Sequence, residues 1–98
     1  MLSVRAVRGA TTVELDEVDH IADRVEAMVR AVLDRNGLDA EQLISVLFSA
    51  TPDIRSIFPA TVARARIPEL ADVPLMYMAE LDIEGALPMC IRLMVHVS

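Results

Sequence analysis

Lysine and tryptophan are absent from this 98-residue chain, and cysteine occurs once, at Cys90. Each absence narrows the possibilities. A lone cysteine closes no intramolecular disulfide, and with no signal peptide in the sequence a reducing, cytoplasmic setting is the expectation. No apolar run approaches the roughly 18–20 residues needed to span a bilayer, so no membrane partner is expected. Positive charge is scarce as well: the formal net charge is −6, whereas a nucleic-acid binder needs a clustered cationic face to displace counterions. All nine basic residues are Arg. Genome composition alone is sufficient reason for that bias, so each Arg is weighed by its position.

What the chain does have is apolar side chains. The hydrophobic share is 54%, with aromatics only 3%, against about 45–50% in ordinary globular domains. A chain of this length is expected to form one domain, residues 1–98, and such a small domain buries only about 60–65% of its unfolded surface. The apolar excess therefore points to burial between subunits.

Along the chain, Leu2–Thr12 is rich in β-branched and small apolar residues and ends in Gly9-Ala10-Thr11-Thr12, which reads as a strand running into a turn. From Asp16 to Arg35, Val18, Ile21, Val25, Met28, Val29 and Val32 fall three or four apart, predicting a helix stopped by Asn36-Gly37. Asp39 is placed to cap a short helical turn. The run Leu43–Ser49 predicts a strand buried on both faces. Pro59 suits the first position of a short helix through Arg66. Val73–Leu81 and Leu87–Val97 predict two more strands, separated by a turn at Asp82-Ile83-Glu84-Gly85. The expected fold is α/β in the α+β sense, a mixed sheet with one long helix and a short second one.

Three charges stand where a core should be. Alternation in the last strand puts Cys90, Arg92, Met94 and His96 on one face, so Arg92 sits on a largely apolar surface. An unpaired buried guanidinium costs several kcal/mol, so Arg92 needs a carboxylate, a carbonyl cluster or an anionic ligand. Glu80 ends the apolar run Leu75–Ala79, and Arg8 precedes Gly9. Two readings stay open: Glu80 and Arg92 pair as a core salt bridge, or Arg8 and Arg92 face solvent at a sheet edge. With no Ser-His-Asp set, Cys-His pair or metal-ligand spacing, two Arg and one Glu suit holding a small dianion and reorganising its charge without covalent chemistry, metal or cofactor. His20 reads as exposed, His96 as structural, and Cys90 as a small packed residue rather than a nucleophile.

Three blocks carry a family resemblance. Val7-Arg8-Gly9-Ala10-Thr11-Thr12, Ser49-Ala50-Thr51-Pro52-Asp53 through Phe58-Pro59-Ala60, and Val73-Pro74 followed by Glu80–Gly85 and Cys90-Ile91-Arg92 together resemble the AroH-class chorismate mutases. The resemblance implies a homotrimer forming a pseudo-α/β barrel, with active sites between subunits and chorismate as substrate, rearranged to prephenate in the shikimate route. It implies that Arg8 binds a substrate carboxylate, Glu80 meets the ring hydroxyl and Arg92 reaches the breaking ether bond. Phe58, Ala60 and Arg64 would line the cleft from a neighbouring subunit, with Arg66 close enough to compete with Arg64. Met76 and Tyr77 would occupy the pocket strand, Tyr77 where the family commonly has a smaller residue such as Cys. The family continues beyond the position of Ser98 through a loop and a short strand carrying a site Tyr, so the domain is expected to lack that tail. Two other functions compete: a YjgF-like imine or enamine deaminase, which also uses an interfacial Arg, and a non-catalytic trimer that binds dianions.

Overall fold

A computed structural model describes residues 3–98. Strand β1 (Arg5–Thr12) leads into helix α1 (Val18–Arg35), a single 3₁₀ turn at Ala40–Gln42, and strand β2 (Leu43–Ala50). Helix α2 (Pro59–Arg66), a second 3₁₀ turn at Pro68–Leu70, and strands β3 (Leu75–Ala79) and β4 (Cys90–Val97) complete the chain. The expected start of the first strand at Leu2 lies outside the described residues. Among those described, no helix is long and apolar enough to cross a membrane.

The order of elements is the one the periodicities predict, and several boundaries move for identifiable reasons. Helix α1 begins at Val18 rather than Asp16 because the Asp16 carboxylate is engaged elsewhere, accepting the backbone N–H groups of Arg55 and Ser56 at 3.0 Å. Its C-terminus is closed as the Asn-Gly pair foretells. Gly37 takes φ 59°, and the N–H groups of Gly37 and Leu38 reach back to the carbonyls of Asp34 and Leu33. At the next turn, Gln42 Oε1 accepts the Asp39 N–H at 2.9 Å. Strands β3 and β4 are shorter than their apolar runs. Pro74 and Pro88, which have no N–H to give a ladder, precede them. The turn between them uses Gly85 at φ 82° beneath an Ala86 N–H to Ile83 carbonyl bond.

The four strands form one mixed sheet in the order β1-β4-β2-β3, with β4 antiparallel to both neighbours and β2 parallel to β3. A parallel pair needs a crossover, which α2 and its flanking loops supply. Both helices pack on one face of the sheet. The core lies there, from Ile21, Val25 and Val29 of α1 and Val62 and Ala63 of α2 to Val46 and Phe48 of β2 and Ile91, Leu93 and Val95 of β4. Among the described residues, no layer covers the opposite face. Strand β2 is therefore not buried on both faces as its apolar run suggested: Val46 and Phe48 are buried, whereas Ser45, Leu47 and Ser49 are half-buried on the open face.

Gly9 also differs from its reading as a turn. It lies within β1 opposite Leu93, and the strand continues to Thr12. A Cβ built on Gly9 would come within 2.6 Å of Val32 Cγ2 on α1. The residue is small because the helix lies against the strand there.

Three surface carboxylates tie loops together and lie below their ordinary pKa range. Asp16 is lowered chiefly by the Arg55 N–H, Asp53 chiefly by the Thr51 hydroxyl with help from the Met89 N–H, and Glu69 chiefly by its bond to Arg30. A carboxylate depressed in the folded state contributes stability above its unfolded pKa and loses that contribution as pH falls through the folded one. Unfolding midpoints in denaturant are accordingly expected to be flat from neutral pH down to about pH 5 and to fall below about pH 4, where unfolded Asp and Glu bind protons. Undiminished stability at pH 3 would contradict these roles.

Candidate active site

On the open face of the sheet a concavity of about 570 Å³ is framed by β1, β4, β2 and β3 in turn, within the range of small-molecule sites. Arg8 and Ala10 come from β1, Cys90, Arg92 and Met94 from β4, Leu47 and Ser49 from β2, and Met78 from β3, with Leu87 leaning in from the β3–β4 connection. Alternation and register make this set. Arg92 lies opposite Ala10 on one side and Ser49 on the other, and Arg8 opposite Met94. Arg8 and Arg92 are thus diagonal neighbours across the β1–β4 ladder, about 7–8 Å apart on typical sheet geometry. Two cations on neighbouring strands of one face suit a small dianion.

Glu80 follows β3 directly, its N–H held by the Ala50 carbonyl at 3.0 Å. Its Oε1 lies 3.3 Å from Arg92 Nε and accepts a hydrogen bond from Ser49 Oγ at 2.9 Å. The pair foreseen between Glu80 and Arg92 therefore forms, but not inside a core. The Arg92 side chain is 55% exposed and that of Glu80 19%. Arg92 stands on the second strand of the sheet rather than at an edge, whereas Arg8 is exposed on the edge strand β1 and, among the described residues, forms no ion pair. The Cys90 sulfur and the Glu80 carboxylate both raise the pKa of Arg92, so its charge is secure.

The start of β4, which carries Arg92, is held by the segment after β2. Buried Thr51 donates its N–H to the Cys90 carbonyl at 3.0 Å and accepts the Cys90 N–H on Oγ1 at 3.0 Å, while Asp53 Oδ2 accepts the Met89 N–H at 3.0 Å. Met89 takes φ 50°, a left-handed conformation unfavourable for a side-chain-bearing residue. Thr51 and Asp53 hold it there.

The remaining expected site residues lie elsewhere within one chain. Met76 faces the open side with Met78, but Tyr77, its neighbour on the strand, faces the helices. There it stacks on Phe58, ring centroids 4.4 Å apart at 25°, both rings more than half exposed at the sheet edge. Ala60 is buried in the first turn of α2. Arg64 is turned onto the chain after α2, donating from Nη1 to the Leu70 and Ala71 carbonyls and from Nη2 to the Val73 carbonyl. Arg66 pairs with Asp23 and Glu26 on α1. Neither guanidinium enters the concavity of its own chain. His96 bonds Ser45 Oγ at 3.1 Å, and His20 Nε2 accepts the Glu14 N–H.

Ser49, Thr51 and Asp53 were not singled out in the sequence as site residues. The available signal was a serine breaking the apolar run Leu43–Phe48, followed by two more polar side chains at alternate positions.

The family model for chorismate mutase type I matches residues 4–98. The chain belongs to that family. It is 36% identical to chorismate mutase AroH of Bacillus subtilis over 99% of this chain and 76% of that protein. It is 37% identical to chorismate mutase AroH of Thermus thermophilus over 93% of this chain and 74% of that one. Among solved structures, a chorismate mutase from Clostridium thermocellum superposes with a TM-score of 0.88 at 38% identity, covering 95% of this chain and 81% of its own. The resemblance carried by the three sequence blocks is borne out, and nothing in these relationships supports the deaminase reading. The chorismate mutase fold also explains why the three blocks are far apart in sequence: β1, the β2 end and the β3–β4 pair converge on one concavity.

Proposed function

We propose that this chorismate mutase family chain isomerises chorismate to prephenate on the open face of its sheet. The observation that carries the reading is the convergence of Arg8 and Arg92 on one concavity, with Glu80 paired to Arg92, in a chain whose relatives are chorismate mutases. The reaction is a [3,3] rearrangement of a dianion, which needs no nucleophile, general base or cofactor. It needs a compact substrate conformer and positive charge where the ether oxygen becomes negative, both of which a preorganised pocket supplies. Arg8 binds a substrate carboxylate. Arg92, whose Nε lies 3.3 Å from Glu80 Oε1, offers its guanidinium to the breaking C–O bond, and its planar fork stays charged. Glu80 accepts the ring hydroxyl through Oε2. Ala10, Leu47, Met78 and Leu87 provide apolar walls that favour the folded substrate and exclude water.

A homotrimer completes the site in this reading. The exposed apolar edge formed by Phe58, Met76 and Tyr77 is suited to cover the concavity of a neighbouring copy, consistent with the apolar excess of the composition. Ala60 and Arg64 act in that wall by anchoring α2 and the chain leading to β3.

Calorimetric titration with a bicyclic dicarboxylate mimic of the transition state, alongside light scattering and a turnover assay, tests the reading. The expected result is a mass of three chains, one mimic bound per chain, and affinity roughly tenfold weaker in Arg8→Ala, the scale of one charge-assisted contact. A monomer that turns over chorismate would overturn the interfacial arrangement, and tight binding without turnover would favour the non-catalytic alternative.

A further inference from the structure

We infer that Ser49 is the positioning residue for Glu80, fixing its carboxylate so that one oxygen stays with Arg92 and the other is free for substrate. This rests on the proposed chorismate mutase reaction and names a residue that reading does not require.

Ser49 is one of two serines on the open face of β2, the other, Ser45, being bonded to His96. It follows the apolar run Leu43-Ile44-Ser45-Val46-Leu47-Phe48 and projects onto the face where Leu47 and Met78 line the concavity. Register places it between the two charged partners: it lies opposite Arg92 on the β4 side and opposite Met78, two residues before Glu80, on the β3 side. Its hydroxyl donates to Glu80 Oε1 at 2.9 Å, its one side-chain hydrogen bond among the described residues, and Arg92 Nε approaches the same oxygen at 3.3 Å.

The Arg92 contact is longer than a strong charge-assisted bond and, alone, would leave the carboxylate free to rotate about its last torsion, which is broad for Glu. A second, shorter bond from the neighbouring strand removes that freedom. Oε1 is then committed on two sides, and Oε2 has no partner among the described residues. A carboxylate held in advance loses less entropy when it takes the substrate hydroxyl, which is why a supporting hydrogen bond matters for a site residue. Ser49 touches no reacting atom in this arrangement and acts through Glu80.

The test compares Ser49→Val with Ser49→Thr, a pair of the same shape in which only Thr keeps the hydroxyl, together with Ser49→Ala. Steady-state kinetics with chorismate and thermal unfolding are measured on each. Ser49→Ala and Ser49→Val are expected to lose roughly tenfold or more in kcat, the scale of one hydrogen bond to a charged group, with KM little changed and the unfolding midpoint close to wild type. Ser49→Thr is expected to recover most of the wild-type kcat. Equal kcat in the Val and Thr variants, or a loss that follows stability instead of the hydroxyl, would overturn the assignment. The crystal structure of Ser49→Ala separates this inference from the reading beneath it: Glu80 is expected to leave its position beside Arg92, and an unmoved carboxylate overturns the positioning role whether or not the wild-type protein consumes chorismate. An inactive wild-type protein with a displaced Glu80 would sink the proposed reaction and leave the clamp standing.

Discussion

Citrulline at position 92 is expected to lower kcat for chorismate about 100- to 1,000-fold, or ~2.7–4 kcal/mol, the loss typical of removing one preorganised donor to a developing oxyanion. Citrulline keeps the length, planarity and Nε–H of arginine and replaces one terminal amino group with a carbonyl oxygen, removing the charge and one donor. The contact from Nε to Glu80 at 3.3 Å is therefore retained in form. The Arg92 side chain is 55% exposed, and the 19%-exposed Glu80 carboxylate keeps the Ser49 hydroxyl and the Nε–H beside it, so the unfolding midpoint is expected to stay near wild type. Semisynthesis followed by steady-state kinetics measures the effect. Unchanged turnover would remove Arg92 from the transition state, and a loss accompanied by unfolding would show a structural role instead.

The second large effect concerns Gly9. In Gly9→Ala the new methyl carbon meets Val32 Cγ2 at 2.6 Å, well inside van der Waals contact. Val32 has little room to yield, being buried on α1 and stiff at χ1 as β-branched residues are in helices. Such overpacking costs about 1–3 kcal/mol, and each kcal/mol lowers the unfolding midpoint by about 4–8 °C in a domain of this size. Combining Gly9→Ala with Val32→Ala makes room for the methyl group, so the double variant is expected to be less destabilised than the sum of the singles. Strict additivity would mean that Gly9 is small for another reason. Activity is also informative, since β1 carries Arg8 next to this contact.

Gly9 illustrates where reading the sequence succeeded and where it stopped. Local signals were sufficient for α1 and α2: the three-and-four spacing of Ile21, Val25, Met28 and Val32, the Asn36-Gly37 stop, and Pro59 at a helix start all act within a few residues. A glycine followed by small residues carries the same local signal whether it turns or packs against a helix. Only the approach of Val32, 23 residues away in sequence, distinguishes the two. The same limit applies to sheet order, because no local feature of Cys90–Val97 states that β4 inserts between β1 and β2.

For the candidate site, alternation within β4 was enough to group Arg92 with Cys90, Met94 and His96. Applied to β3, the same rule separates Met76 from Tyr77, which the family resemblance alone had put together. A single chain holds Arg8 and Arg92, with Glu80 beside Arg92, in one place and the Phe58–Tyr77 stack in another. Hydrogen-bond partners were the least legible feature. The hold of Ser49 on Glu80 spans 31 residues and that of Thr51 on Cys90 spans 39, and each depends on register that only the folded sheet supplies.

The most direct test of the account is the time course of chorismate absorbance with the purified 98-residue chain, with the product identified by NMR. Saturable, enzyme-dependent conversion to prephenate as the single product, with no added metal or cofactor, is the expected result. Chorismate consumed no faster than in buffer, by a protein shown by circular dichroism to be folded, would contradict it.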